Sequence, residues 1–256
     1  MFIHLISLGR ISYVEGLAVQ QRVVAARKAG AIGDVLLLLE HPPVLTLGRN
    51  AGRNQGRANV LASDEELQRR GVELHEINRG GDVTYHGPGQ LVGYPIVDLR
   101  GDLPGKKGPH LGPVDYVRLL EEVLIRTCGA FGVQAQRIPK RTGVWTVVHP
   151  GAGESVQEKK IAAIGVHVSQ GVTSHGFALN VTTDLRDFQW IVPCGIADRE
   201  VTSLEVEADR VPTMDEVGNA VAKSFGRVFG RQMLGVGSVE ELLCDVGETG
   251  KIFSVS

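Results

Sequence analysis

Cysteine is scarce in this sequence. Cys128, Cys194 and Cys244 lie far apart, too few and too scattered for a disulfide framework. No Cys-x-x-Cys pair or Cys/His cluster has zinc spacing. Long apolar runs are also missing: the longest, Val35–Leu39, is far below a membrane span. The N-terminus lacks the basic segment and extended apolar core of a signal peptide. No charge sign dominates, since 27 Lys+Arg face 29 Asp+Glu for a net charge of -2. A global attraction to nucleic acid or to a membrane surface is therefore not expected. The phosphate-cradling pattern Gly-x-x-x-x-Gly-Lys-Ser/Thr does not occur. These absences lead to the expectation of a cytoplasmic protein with reduced thiols.

What is present is ordinary for a globular chain: 256 residues, 43% hydrophobic and 22% charged. That length can bury a sizeable core without staples and fits one large domain or one domain with appendages. The 33 glycines predict many tight turns or close backbone approaches.

The pattern predicts strands at Phe2–Leu8, Val35–Leu39, Val44–Leu47, Val72–Ile77, Val92–Val97 and Gly143–Val148. A helix opens at the capping-box spacing of Ser12 and Glu15 and ends at Gly30. Another follows the stripe Val117, Leu120, Leu124, Thr127 and Phe131, with Cys128 near its apolar side. Ile161–Val168 and Val172–Leu179 flank Ser169-Gln170-Gly171, a hairpin signal. Thr213 and Glu216 open a further helix. Residues 101–112 and 149–158 read as loops, and Ser238–Leu243 as a short helix in a weakly patterned tail. Strands come in pairs with helices interspersed irregularly. The expected fold class is therefore α+β, a mixed β-sheet with flanking helices.

Three segments could carry chemistry. Arg79–Gln90 places four glycines between two strands, so backbone can approach a ligand and present N–H groups. Lys159-Lys160-Ile161-Ala162-Ala163-Ile164-Gly165 begins an apolar strand with lysine. Alternation puts Lys160, Ala162 and Ile164 on one face and Lys159 on the other, so only one lysine can look into a cleft. Val192-Pro193-Cys194-Gly195 holds a cysteine in a constrained turn, a setting that suits a nucleophile or a small buried hydrophobe. His86, His167 and His175 are possible partners of a thiol, but nothing local ties one of them to Cys194.

Taken in order, the segments Glu40-His41-Pro42-Pro43-Val44 with Thr46-Leu47-Gly48-Arg49, Arg79–Leu99, Lys160–Gly165, His175–Asn180, Pro193-Cys194-Gly195 and Val201-Thr202-Ser203-Leu204 resemble the lipoyl(octanoyl) transferase family. These are the octanoyl-[acyl-carrier-protein]:protein N-octanoyltransferases. The resemblance implies a fold like the catalytic domain of lipoate and biotin protein ligases over residues 1–230, with 231–256 a C-terminal extension. It implies transfer of octanoyl from octanoyl-acyl carrier protein to a lysine of lipoyl domains, the first step of endogenous protein lipoylation. The acceptors would be lipoyl domains of 2-oxoacid dehydrogenase complexes and the glycine cleavage H protein. No cofactor and no metal are expected. By resemblance, Cys194 is the acyl-thioester cysteine and Lys160 its partner. The acyl-binding segments fall on Arg79, Gly80, Gly81, Asp82, Val83, Thr84, Tyr85 and His86, on Ala163, Ile164 and Gly165, and on Gly176, Phe177 and Ala178. An acidic carrier protein would need a local basic patch, for which Arg49, Arg53, Arg57, Lys106, Lys107, Lys140 and Arg141 are candidates.

Overall fold

A computed structural model describes residues 2–49, 51, 57, 59–148, 156–192 and 200–249. Among these, the main sheet has nine strands. They are β1 (Phe2–Arg10), β2 (Val35–Glu40), β6 (Gln90–Ile96), β7 (Ala135–Ile138), β8 (Arg141–Val148), β9 (Gln157–Ser169), β10 (Val172–Asn180), β11 (Glu200–Val201) and β12 (Gln232–Gly235). The spatial order is β12-β1-β2-β6-β10-β9-β8-β7, with β11 beside β9. The β1–β12, β1–β2 and β9–β11 pairs are parallel and the rest antiparallel, so the sheet is mixed as expected. A smaller sheet, β4-β3-β5, is built from β3 (Val44–Leu47), β4 (Glu73–Glu76) and β5 (Val83–His86).

Helices cover both faces of the main sheet. Leu36 and Leu38 of β2 join a core with α3 (Pro113–Gly129) and α5 (Met214–Phe229). Val35, Leu37 and Leu39 face α1 (Tyr13–Lys28) and α6 (Val239–Thr249) instead. Burial on both sides explains why β2 is a continuous apolar run. Capping boxes at Ser12 and Thr213 start α1 and α5. Gln170 and Gly171 both have positive φ, 53° and 80°, which gives the β9–β10 hairpin a turn matched to strand twist. The short α2 (Asp64–Arg69) and α4 (Leu204–Glu207) complete the helices used below. No described helix is long and apolar enough to cross a membrane.

Several elements depart from the sequence reading. The glycine-rich segment is not a plain connection, because β5 forms within it and pairs with β3. The loop expected at 149–158 is shorter, since β9 already begins at Gln157, and residues 149–155 lie outside the described ones. In the C-terminal stretch the helix expected near Ser238–Leu243 is present as α6, with Val239 and Leu242 in the core, and an edge strand not expected there pairs with β1.

Candidate active site

The two sheets enclose a cavity of about 830 Å³. Its first wall is β9 and β10. Here the expected alternation fails at one point: Val144 pairs with Ala162, but Trp145 pairs with Lys160. Ile161 is thus an extra residue in β9, a β-bulge that shifts the facing of the strand. Ile161 and Ala162 are both buried in the α3/α5 core, while Lys160 and Ala163 line the cavity. Ala162 therefore does not share the face of Lys160, as strict alternation predicted. The two lysines do part company. Lys159 pairs with Glu200 at 3.3 Å, and Lys160 Nζ lies 4.7 Å from the centre of the Trp145 ring. That distance is within cation–π range.

The opposite wall is the segment leading into β5. Arg79 is buried, its Nη2 donating to the carbonyl and hydroxyl oxygens of Thr46 at 2.6 and 2.9 Å. Gly80 N–H donates to Val166 O at 3.0 Å and so joins the two walls. The join is tight: a Cβ on Gly165 would lie 2.9 Å from Gly80 O and 3.0 Å from Arg79 Cδ. Gly81 has φ +91°, a conformation that favours glycine.

Between the walls lies a neutral polar floor. His86 Nδ1 is 2.7 Å from Gln90 Oε1, and the Gln90 amide nitrogen donates to Asn180 Oδ1 at 2.9 Å. His86 Nδ1 therefore carries the proton and Nε2 keeps a lone pair. Burial, then the neighbouring His41, pushes His86 down to about 3. His175 falls to about 4 through burial and the Arg79 charge. Its Nε2 meets Asn78 Oδ1 at 2.8 Å, and its backbone has φ 55°, strain of the kind that collects at functional sites. His41 donates from Nδ1 to Ile11 O and accepts the Tyr94 hydroxyl at Nε2, at 2.9 and 2.8 Å. Burial pushes the Tyr13 phenol up to about 12.

Of the residues singled out in the sequence, Lys160 lines this cavity with Arg79, Gly80, Gly81, Asp82, Val83, Thr84, His86, Ala163, Ile164, Gly165, Gly176, Phe177 and Ala178. Tyr85 does not. It turns into the core of the small sheet and donates its hydroxyl to Asp187 at 2.6 Å. Cys194 lies outside the described residues, as does Arg53. On the near side of that stretch, Val192 N–H donates to Asn59 O at 2.8 Å. On the far side, Val201 pairs with Lys160 and itself lines the cavity. Cys128 is fully buried, and burial pushes its thiol up to about 12, the setting of an inert core residue. Cys244 is exposed. Of the basic candidates, Lys140 and Arg141 stand at the cavity, whereas Arg57 is paired with Asp64 and Lys106 donates to Arg100 O at 2.9 Å. Sequence reasoning missed Tyr13, Tyr94 and Trp145 in the lining. Trp145 had one usable signal, its place in the strand that precedes the Lys160 strand.

The chain matches the profile of the lipoyl protein ligase A/B catalytic domain over residues 12–226. It is 63% identical to an octanoyltransferase of Acidobacterium capsulatum over 245 residues, covering 95% of this chain and 96% of that one. It is 52% identical to an octanoyltransferase of Koribacter versatilis over 241 residues, covering 94% and 90%. Among solved structures, a lipoate-protein ligase A bound with ATP superposes with a TM-score of 0.69 at 17% identity, covering 100% and 97% of the two chains. A bi-partite lipoate protein ligase from Thermoplasma acidophilum gives 0.66 at 18% identity, covering 97% and 92%. These two likenesses speak to the fold.

Proposed function

Because the chain belongs to the lipoyl protein ligase A/B catalytic domain family and is an octanoyltransferase with its curated relatives, we propose that it moves octanoyl from acyl carrier protein to a lipoyl-domain lysine through a thioester on Cys194. The acceptors are lipoyl domains of 2-oxoacid dehydrogenase complexes and the glycine cleavage H protein. The reaction runs in the cytoplasm, where Cys194 stays reduced. The observation that carries this reading is the bulge in β9, which turns Lys160 into the cavity lined by the glycine-rich segment.

The chemistry is a double exchange. The Cys194 thiolate attacks the octanoyl thioester carbonyl, a new C–S bond forms, and the carrier's C–S bond breaks. The departing carrier thiolate takes a proton from the Lys160 ammonium. Lys160, now neutral, accepts a proton from the neutral acceptor amine as it attacks the Cys194 thioester. An amide forms, the Cys194 thiolate leaves, and Lys160 is an ammonium again. An unassisted thiol of pKa ~8.5 is only about 3% thiolate at neutral pH. A nearby ammonium in a partly dry cleft raises that fraction. The Trp145 ring, within cation–π range of the Lys160 amine, is compatible with this first duty.

The acyl chain lies along small side chains, Ala163 and Ala178, with Phe177 and Ile164 as apolar walls. Burying its six methylenes and terminal methyl at ~0.8 kcal/mol each contributes roughly 5–6 kcal/mol before costs. The test is direct: incubate the protein with octanoyl-acyl carrier protein and measure its intact mass. A single octanoyl adduct mapped to Cys194 is expected, discharged by a lipoyl domain. No adduct, together with ATP-dependent ligation of free octanoate, would overturn the reading.

A further inference from the structure

One side-chain cluster beside the cavity is unusual for its position. Glu121 of α3 is fully buried, and a buried carboxylate is costly unless fully partnered. Its Oε2 accepts from Arg118 at 2.6 Å and from Arg137 of β7 at 3.1 Å. Two guanidiniums on one oxygen already neutralise the charge. The other oxygen, Oε1, is aimed elsewhere: it accepts the backbone N–H of Gly143 at 3.2 Å.

Gly143 sits where the main sheet is irregular. Its φ is +116°, and a Cβ there would lie 2.6 Å from Ala162 O and 3.4 Å from Lys160 Cε. It directly precedes Val144, the residue at which the β8–β9 register shifts. The glycine thus packs against both the bulged stretch and the stem of the lysine. One turn before Glu121 on the same helix, Val117 forms part of the cavity wall.

We infer that Glu121 is a positioning residue for the Lys160 amine, acting through the Gly143 N–H that fixes the β8–β9 bulge. Without the acceptor, the Gly143 N–H has reason to turn back toward β9 and pair in the ladder. The bulge then relaxes toward regular alternation, which carries Lys160 off the cavity face. The inference rests on the reading of Lys160 as the partner of Cys194.

The test uses the full chain and the pH dependence of Cys194 alkylation by iodoacetamide, with peptide mapping to separate the exposed Cys244. Lys160→Ala should move the alkylation midpoint up toward ~8.5, the value of an unassisted thiol. Glu121→Leu should move it in the same direction by about half the Lys160→Ala shift or more. Glu121→Gln keeps an amide oxygen for Gly143 and should retain the wild-type midpoint while losing thermal stability, because its NH2 group then faces Arg118 and Arg137. The double variant Lys160→Ala/Glu121→Leu should match Lys160→Ala alone. A folded Glu121→Leu protein with the wild-type midpoint would overturn the inference, as would a double variant shifted beyond Lys160→Ala. If Glu121→Leu does not fold, Glu121→Asp keeps the charge but withdraws the acceptor by one methylene. It should shift the midpoint upward, and an unchanged midpoint counts against the inference. If Lys160→Ala itself leaves the midpoint unmoved, the reading of the Cys194–Lys160 pair fails, and the inference with it. If Lys160→Ala shifts the midpoint and no Glu121 variant does, the inference fails alone.

Discussion

The two walls of the cavity solve opposite problems. The β9–β10 wall is apolar and finely stepped, with small residues at Ala163, Gly165, Gly176 and Ala178 and one cation, Lys160. The facing segment and the floor between the walls are polar and crowded, with Arg79 held by Thr46 and with His86, Tyr13 and, from β10 itself, His175 kept neutral by burial. In the proposed reaction the first wall leaves room for the chain and supplies one mobile proton. The second fixes backbone N–H groups and hydrogen-bond directions without adding another titrating group near neutral pH. In that proposed reaction proton traffic is confined to the Lys160 side of the reacting carbonyl. The substitutions below perturb in turn the Lys160 wall, the join between the walls, the polar floor and the rim.

The largest effect belongs to the lysine. Lys160→Ala should lower overall transfer by about 10²–10⁴-fold. Single-turnover acylation should recover as pH rises toward ~8.5, whereas discharge onto a lipoyl domain should recover less, for want of a base beside the amine. Acylation at the wild-type rate at neutral pH would leave Lys160 without a part in activating Cys194.

Next comes the contact between the walls. Gly165→Val places carbon against Gly80 O and Arg79 Cδ, where even a Cβ is 2.9 and 3.0 Å away. Octanoyl loading should drop by about tenfold or more while a butanoyl thioester loses much less, since discrimination per methylene is modest and cumulative. Equal losses for the two chain lengths would mean that Gly165 shapes the reacting end and not the chain.

The polar side makes its own prediction about pH. His86 and His175 have folded values of about 3 and about 4, below the ~6.5 of an unfolded histidine. Between those values the unfolded chain binds more protons, so their contribution to stability is complete above ~6.5 and is lost as pH falls. The slope is about 1.4 kcal/mol per pH unit for each such histidine. Urea midpoints measured between pH ~7 and ~4 should fall, and His86→Asn should flatten the fall. An unchanged slope in the variant would show that His86 is not held neutral.

What the sequence disclosed follows from how each feature is encoded. Caps at Ser12 and Thr213, the two-faced apolar run of β2 and the Gln170-Gly171 turn are local, and the structure has them where the pattern predicted. β12 is four residues with no alternation, and it exists because β1 offers an edge to pair with. β5 was hidden because the glycines around it read as turn. The cavity residues near Lys160 were legible as motifs, but their facing was not. Ile161 is a bulge only because Trp145 pairs with Lys160, and register between distant strands leaves no mark in a strand's own sequence. Tyr13 was visible only as the residue after a helix cap, and it lines the cavity with its ring packed against His41 and His86.

The smallest expected effect lies at the rim. Of the basic residues proposed to steer an acidic carrier protein, Arg141 is paired with Glu158 and its guanidinium lies 5.9 Å from the Trp145 ring centre. Part of its charge is therefore already spent within the chain. Lys140 is exposed at the cavity, the second residue of the β7–β8 turn, with φ 65°. A single exposed charge contributes little to affinity but can act on encounter rate. The association rate with carrier protein should fall as salt rises, and Lys140→Ala should lower it about two- to threefold at low salt with no change in the dissociation rate. Arg141→Ala should do less to the association rate, because its removal also frees Glu158. If neither variant alters the salt response, the donor is guided to this cavity by some other surface, and the rim charges serve only the fold of the β7–β8 turn.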